Sequence, residues 1–392
     1  MRSRSGRGGP SPIQLLQLTS FVSTFDRFAM PPMLVVIAHD LGVPLGQIVH
    51  AAGAYFLAYG LTQPVWGIVS DSLGRVRTMR LTLLVAGLMT IGSAFAMTPV
   101  VLGVARGLAG GFFGSAYPNS LIYLGDTVPA QRRQVEVTRL MVGVALGTAA
   151  ASVGAGALAE LFSWRAAFVV TGVAALVLVV ALRSLPEPPR APRGHPLAPL
   201  GVVVRSGTAR LVLVLAFAEG AVLLGVLTLL PSAVQATGAS STVAGAVTGV
   251  YGLAVFGSAR LVGRLSRSWH PARLIALGGT AALLACAVLA VSQAPGVAVV
   301  VAVLLGLAWA AMHSSLQTWA TEVVPDARAA VVSLFAGSLF VGSAAAAVAV
   351  ADLADGGRYT AIFVATAVLA VPLAVLATWG RSRWRRPGEA TA

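Results

Sequence analysis

The chain has 392 residues, of which 57% are hydrophobic and only 10% charged. Soluble domains carry about 25% charged residues, so this composition excludes an ordinary water-soluble globule and points to a membrane. The net charge is +14, all 27 basic residues are arginine, and they recur in short segments between apolar runs rather than on one face. That distribution argues against a nucleic-acid partner. The lone Cys286 lies in an apolar run, which leaves no disulfide framework and no thiolate metal site.

A hydrocarbon core about 30 Å thick takes ~20 apolar residues as a helix. Applied along the chain, that length predicts an all-α membrane protein of twelve spans. They fall near 13–38, 46–70, 76–97, 99–124, 135–161, 164–183, 209–231, 241–263, 272–292, 295–321, 329–353 and 359–380. The segment 184–208, SLPEPPRAPRGHPLAPLGVVVRSGT, is the only long connector. The predicted organisation is a tail over 1–12, a six-helix bundle over 13–183, a linker over 184–208, a second bundle over 209–380 and a basic tail over 381–392. With the spans alternating in direction, 23 arginines fall on the side of the termini and only Arg165 and Arg358 on the other. By the positive-inside rule, both termini are cytosolic and the chain sits in the plasma (inner) membrane.

In chain order, the first span, FVSTFDRFAMPPMLVV, sets Asp26 and Arg27 near mid-membrane. A charge there costs at least a few kcal/mol, so it needs a partner or water. The second span contributes Tyr55, Tyr59 and Gln63. The loop that follows, GIVSDSLGRVRTMR, holds Gly67, Asp71, Gly74, Arg75 and Arg77. Gly74 permits a tight turn, and Asp126, at the end of the fourth span, is placed to accept a hydrogen bond from Arg75. Charge-assisted bonds of this kind are expected to latch the cytosolic side shut and release as the bundles rock. Within the fourth span Arg106, Gly110, Phe113 and Tyr117 share one helical face, with Asn119 beyond. The fifth reads GTAAASVGAGALAELFSWRAAF.

The second half repeats the first. An offset of 193 residues sets Asp26 on Glu219, and an offset of 196 sets Asp126 on Glu322, Phe113 on Trp309 and Tyr117 on His313. In the tenth span Trp309, His313 and Gln317 share a face, and Tyr251 lies in the eighth. A parallel repeat about an axis along the membrane normal belongs to one transporter architecture.

The loop G-x-x-x-D-x-x-G-R-x-R, carried by Gly67, Asp71, Gly74, Arg75 and Arg77, resembles the signature between helices two and three of the major facilitator superfamily, and the likeness runs over essentially the whole chain. The resemblance implies twelve helices in two pseudo-symmetric halves, with spans one, four, seven and ten around a central cavity. Asp26, Arg106 and Glu219 would then face one another or water. It also implies that Arg106, in an R-x-x-x-G pattern, takes part in proton transfer, as in the drug:proton antiporter-like branch. That branch's G-x-x-x-G-P-x-x-G-G pattern is incomplete, because Ala151, Ser152 and Ala155 replace two glycines and the proline.

Burial raises a carboxylate's pKa and a nearby guanidinium lowers it, so Asp26 or Glu219 can load and release a proton while Arg106 stays a fixed counter-charge. The expected substrate cavity is lined by Tyr55, Tyr59, Gln63, Phe113, Tyr117, Asn119, Tyr251, Trp309, His313 and Gln317. The leading reading is secondary, proton-coupled efflux of small amphipathic or lipophilic organic molecules by alternating access. The alternative is a proton symporter importing a sugar, amino acid or organic acid. No enzyme activity, metal or cofactor is expected. The coupling ion is the proton, with Na+ left open, and the partners are a small-molecule substrate and membrane lipid, for a monomer.

Overall fold

The computed structural model describes residues 10–189 and 198–385. Parts of the expected tails (1–9 and 386–392) and of the linker (190–197) lie outside the described residues. Among the described residues the backbone is helical throughout, with no strand. In lipid every backbone polar group must be satisfied within the chain, and helices do this without an edge.

Twelve membrane-length rods follow one another. They are α1 (Pro12–Leu41), α2 (Leu45–Leu73), α3 (Arg75–Ala94), α4 (Pro99–Thr127), α5 (Ala130–Leu161) and α6 (Trp164–Ser184). After the linker come α7 (Gly207–Gln235), α8 (Ser241–Leu265), α9 (Pro271–Val291), α10 (Pro295–Glu322), α11 (Pro325–Asp355) and α12 (Tyr359–Arg383). Ten of them are apolar enough to cross a membrane by composition alone. The other two are α2, where Gln47, His50 and Gln63 interrupt the apolar run, and α3, which opens on Arg75, Arg77 and Arg80. Their ends follow local chemistry: proline at the first helical turn of α1, α4, α9 and α10, and serine or threonine oxygens capping α4, α6, α7 and α8. The linker is not wholly irregular, since a short helix covers Ala198–Arg205 and packs against the start of α11.

Helices α1–α6 and α7–α12 form two halves that meet mainly along α2 with α11 and α5 with α8. The contact depends on close backbone approach. A Cβ on Gly156 of α5 would lie 2.5 Å from the Ser241 carbonyl of α8, and one on Gly60 of α2 would lie 2.7 Å from the Gly337 carbonyl of α11. Small residues let membrane helices approach in this way. The contacts run from the face opposite the chain termini, here the far face, to mid-membrane. Toward the terminus face they cease: a Cβ on Gly67 of α2, or on Gly257 or Gly263 of α8, would meet nothing within 4 Å. The terminus-side segments of α1, α4, α7 and α10 pack principally within their own halves, whereas the far-face part of α1 touches α7 and α8. The molecule is therefore closed at the far face and parted toward the terminus face.

Polar contacts reinforce the closure. The Glu160 carboxylate at the end of α5 accepts from the Thr242 backbone N–H at 3.1 Å and faces the Ser241 hydroxyl at 3.3 Å, so an acid of one half caps the first turn of a helix in the other. Gln235 of α7 donates to the Pro32 carbonyl of α1 at 3.1 Å. An acid at a helix N-terminus contributes ~0.5–1 kcal/mol. Glu160→Gln is expected to raise the far-face-open population about two- to fivefold. Spin-label distances between Leu161→Cys and Thr237→Cys check this, and an unchanged distance distribution would show that the cap does not hold the face shut.

Candidate functional site

All four central helices are discontinuous near mid-membrane. A 3-10 turn at Pro31–Met33 interrupts α1, and α4 breaks between Phe113 and Ala116. In the second half, π-helical turns cover Gly220–Leu224 of α7 and Trp309–His313 of α10. Such turns concentrate at functional sites. Here they adjoin Asp26 and Arg27, Tyr117, Glu219 and His313. Side chains of α2 satisfy the carbonyls around the break in α4: Trp66 and Thr62 donate to Gly111 at 2.6 and 2.8 Å, and Gln63 donates to Gly114 at 3.2 Å.

Asp26 and Arg106 form a two-pronged ion pair. Arg106 Nη2 donates to Oδ2 at 2.7 Å and Nη1 to Oδ1 at 3.1 Å, while Nη2 also reaches the Asp26 carbonyl at 3.1 Å. Thr90 of α3 donates to Oδ1 at 3.1 Å. The guanidinium carbon lies 4.6 Å from the Tyr55 ring centroid and 4.7 Å from that of Phe168. Both charged side chains are 0% exposed. The pair joins α1, α3 and α4, with α2 and α6 supplying aromatic walls, and it is closed off from water.

Glu219 lies in the other half. It too is 0% exposed, and its Oε2 meets His313 Nδ1 at 3.2 Å, with the imidazole 12% exposed. Its Oε1 has no hydrogen-bond partner among the described residues. The His313 ring stacks on Trp309 at 3.9 Å between centroids and tilts against Phe335 of α11 at 5.7 Å. Asp26 and Arg106 thus face one another, whereas the expectation that Glu219 joins them or faces water is corrected, since it is buried against His313. Each carboxylate finds its partner within its own half, because an unpaired buried charge costs several kcal/mol.

Arg27 does not pair with Asp26 beside it. Its Nη1 donates to the Tyr59 hydroxyl at 3.3 Å, and its guanidinium carbon lies 5.0, 5.3 and 5.5 Å from the rings of Phe28, Tyr59 and Phe340. Phe340 belongs to α11, so this cation bridges the halves. Among the described residues it makes no ion pair, and its Nε has no partner. Arg27 meets Phe340, Gly220 beside Glu219 packs against the Leu339 carbonyl, and His313 meets Phe335, so all three adjoin one stretch of α11.

The other expected lining residues divide. Phe113 is fully buried in the first half's core, and Tyr55 covers Arg106 instead of facing a cavity. Gln63 is spent on the α4 carbonyl described above. Tyr117 is partly buried, its hydroxyl 3.7 Å from Met141 Sδ. Asn119 is 1% exposed with neither amide atom partnered, and Gln317 is exposed.

The expected Arg75–Asp126 bond of the loop is present, but it does not form a latch between the halves. Arg75 Nη1 lies 2.5 Å from Asp71 and 2.6 Å from the Ser70 hydroxyl, and its Nε lies 3.2 Å from Asp126. All belong to the first half, so in this state the network does not join the halves. A Cβ on Gly67 would meet nothing within 4 Å, and the Arg77 side chain is exposed. Glu187, from the linker, accepts from the Val76 and Arg77 backbone N–H groups at 3.1 Å each and so caps α3. Sequence reasoning missed it, since more than a hundred residues separate it from its partners. Gly74, at φ 106°, is required twice over, because a Cβ there would also lie 2.7 Å from the Glu187 carboxylate. In the second half Glu322, the counterpart of Asp126, pairs instead with Arg381 of α12 at 2.9 Å.

Comparison with known proteins adds context. The sequence profile described as Major Facilitator Superfamily matches residues 16–347. A 4-hydroxybenzoate transporter, PcaK of Pseudomonas aeruginosa, is 30% identical over 45% of this chain and 40% of its own length. A multi-drug resistance efflux pump, PmrA of Streptococcus pneumoniae, is 27% identical over 36% of each. The chain thus spans less than half the length of these curated relatives. A solved bacterial homologue of the lysosomal transporter Spinster, inward-facing and unoccupied, superposes with a TM-score of 0.75 at 18% identity, over 95% of this chain and 98% of that one.

Two outcomes are expected. Arg106→Gln, which strands a buried carboxylate, should cost ~3–5 kcal/mol of stability, and adding Asp26→Asn should recover part of it; thermal unfolding in detergent measures both. Gly74→Ala should lower the melting temperature while Gly67→Ala leaves it unchanged.

Proposed function

The chain belongs to the Major Facilitator Superfamily, and from that premise we propose that it carries small organic anions with an aromatic or apolar body across the membrane, coupled to protons. The observation that carries this reading is Arg27. It is a partly buried cation between the two halves, held by a hydroxyl and three rings, with no carboxylate partner among the described residues. Asp26 is matched by Arg106, so whenever Glu219 and His313 are together neutral the site holds a positive charge in excess. A bound carboxylate would supply the missing partner through charge-assisted bonds. The rings of Tyr59, Phe340, Tyr117 and Tyr251 suit a flat apolar body. The likeness to a 4-hydroxybenzoate transporter supports the same class.

In the proposed cycle the halves rock about the shared site. The terminus face is cytosolic, on the arginine distribution, so the state described is open to the cytosol. The boundaries 13–183 and 209–380 are proposed as the two moving bodies, with the linker tethered to the first through Glu187. Efflux of amphipathic or lipophilic molecules by antiport is the second reading, supported by the aromatic lining and the likeness to a multidrug pump. The incomplete glycine–proline pattern at Ala151, Ser152 and Ala155 weighs against it.

The test is flux into proteoliposomes under an imposed pH gradient, with 4-hydroxybenzoate and a neutral lipophilic dye as the two probes. Arg27→Gln should reduce 4-hydroxybenzoate transport at least tenfold and leave a neutral dye unaffected. Dye transport without any acid transport, indifferent to Arg27→Gln, would favour the second reading.

A further inference from the structure

The two acid pairs differ in chemistry. Asp26 is matched by a guanidinium, which stays protonated throughout the accessible pH range, through two side-chain hydrogen bonds, with a third from the Thr90 hydroxyl and 0% exposure on both sides. Nothing in that arrangement reaches water. Glu219 is matched by an imidazole, the side chain whose charge changes nearest neutral pH. It is held by one contact and keeps one oxygen unpartnered, while the imidazole is 12% exposed. The π-helical turns put both groups where the ordinary helical ladder is already loosened, Gly220–Leu224 directly after Glu219 and Trp309–His313 ending on the imidazole.

We propose that Glu219 and His313 together form the site that takes up and releases the coupling proton, and that Asp26–Arg106 is a fixed pair holding the first half together. The proposal rests on the carrier reading above and specifies its coupling site. With His313 neutral and its Nδ1–H donated to Oε2, the pair carries one negative charge. A proton from water between the halves adds to Nε2 and brings the pair to neutrality, as imidazolium beside carboxylate. Transfer of the Nδ1 proton to Oε2 leaves that net charge unchanged, and release is the reverse.

The groups that face this pair are few. Arg27 of α1 reaches Phe340, which follows the Leu339 on which Gly220 packs, Tyr251 lies on α8, and Trp309 and Phe335 flank the imidazole. The elements packed on α7 and α10 carry their other titratable and charged residues toward their ends or away from mid-membrane: His39 and Asp40 on α1, Arg205 on the linker helix, Arg210 on α7 itself, Arg260 and Arg264 on α8, Arg273 on α9, Glu322 on α10, Asp326, Arg328, Asp352 and Asp355 on α11, and Tyr359, Arg381 and Arg383 on α12. Cys286 of α9 is buried.

Coupling to the substrate follows from charge. While the Glu219–His313 pair is negative it offsets Arg27. Once the pair is neutral, Arg27 is left as the unbalanced charge and an anion is favoured. Proton and anion then bind cooperatively, and by linkage each strengthens the other equally.

Trp309 reports on the pair directly, because an imidazolium stacked on an indole quenches its fluorescence. In purified protein without substrate, a pH titration should show a quenching step that is lost in His313→Gln and in Trp309→Phe, displaced in Glu219→Gln and unchanged in Asp26→Asn. Should Asp26→Asn fail to fold, the Asp26→Asn/Arg106→Gln double variant replaces it. A step that survives His313→Gln, or one abolished by neutralising Asp26 but untouched by Glu219→Gln, overturns the proposal.

Calorimetry of 4-hydroxybenzoate binding in two buffers of different ionisation heat gives the second measurement. Wild type should take up about one proton per anion, its affinity falling about tenfold per pH unit above the step. Glu219→Gln should bind the anion with no proton uptake, and retained uptake there overturns the proposal. A normal quenching pattern without any 4-hydroxybenzoate binding supports the proton site and counts against the anion reading. Anion binding whose proton uptake is lost with Asp26 rather than Glu219 does the opposite.

Discussion

The structure depends on one constraint: a charge buried at the depth of lipid must be matched inside the body that carries it. Asp26 and Arg106 meet this requirement within α1–α6, and Glu219 and His313 meet it within α7–α12. Had one half supplied the acid and the other the base, every rocking motion would have separated them in a medium of low dielectric, at a cost of several kcal/mol. Because the matching is internal, the seam between the halves is free of ion pairs among the described residues. The same constraint explains why aromatic rings surround Arg106 on the sides its hydrogen bonds leave open.

What remains at the seam is weak and reversible. Glycines and alanines of α2, α5, α8 and α11 bring backbones together, with Phe340 of α11 seated on the rings of Phe56 and Tyr59 of α2. Contacts of that kind depend on dispersion over a close fit, which parts as a unit when one half tilts. The polar additions at the far face, Glu160 on the first turn of α8 and Gln235 on the Pro32 carbonyl, involve groups that water can satisfy equally well once the face opens. At the terminus face the Asp71, Arg75 and Asp126 network stays on one side, and Glu187 braces the same turn from the linker. The loop signature therefore stiffens the turn between α2 and α3 in this state.

Much of this was legible in the sequence. Apolar length, the one-sided arginines, the 184–208 connector and the internal repeat predict twelve helices in two halves, even where α2 and α3 are too polar for a hydropathy criterion alone. Asp26, Arg106, Glu219 and His313 stood out because lipid tolerates such residues only for a reason. Their pairing was not legible. It depends on helix rotation, which alanine- and valine-rich spans leave undetermined, so Phe113 and Tyr55 were expected in the cavity and instead lie in the core and against Arg106. The π-helical turns in α7 and α10 leave no residue signature comparable to Pro31 and Pro32 in α1. Glu187 was hidden by distance along the chain.

The internal repeat sharpens the contrast between the halves. The acid is kept, as Asp26 in one and Glu219 in the other, but at the repeat offset Arg106 falls on Ala302 and His313 on Tyr117. The basic partner therefore arises independently in each half, from the far-side part of α4 in the first and from the middle of α10 in the second. A guanidinium in that role fixes the charge of its half at every accessible pH. An imidazole leaves the charge of its half adjustable, one proton at a time. Two bundles of one architecture thereby acquire unlike electrostatics, one a settled frame and the other a responsive wall, with Arg27 between them as the cation whose balance the responsive wall controls.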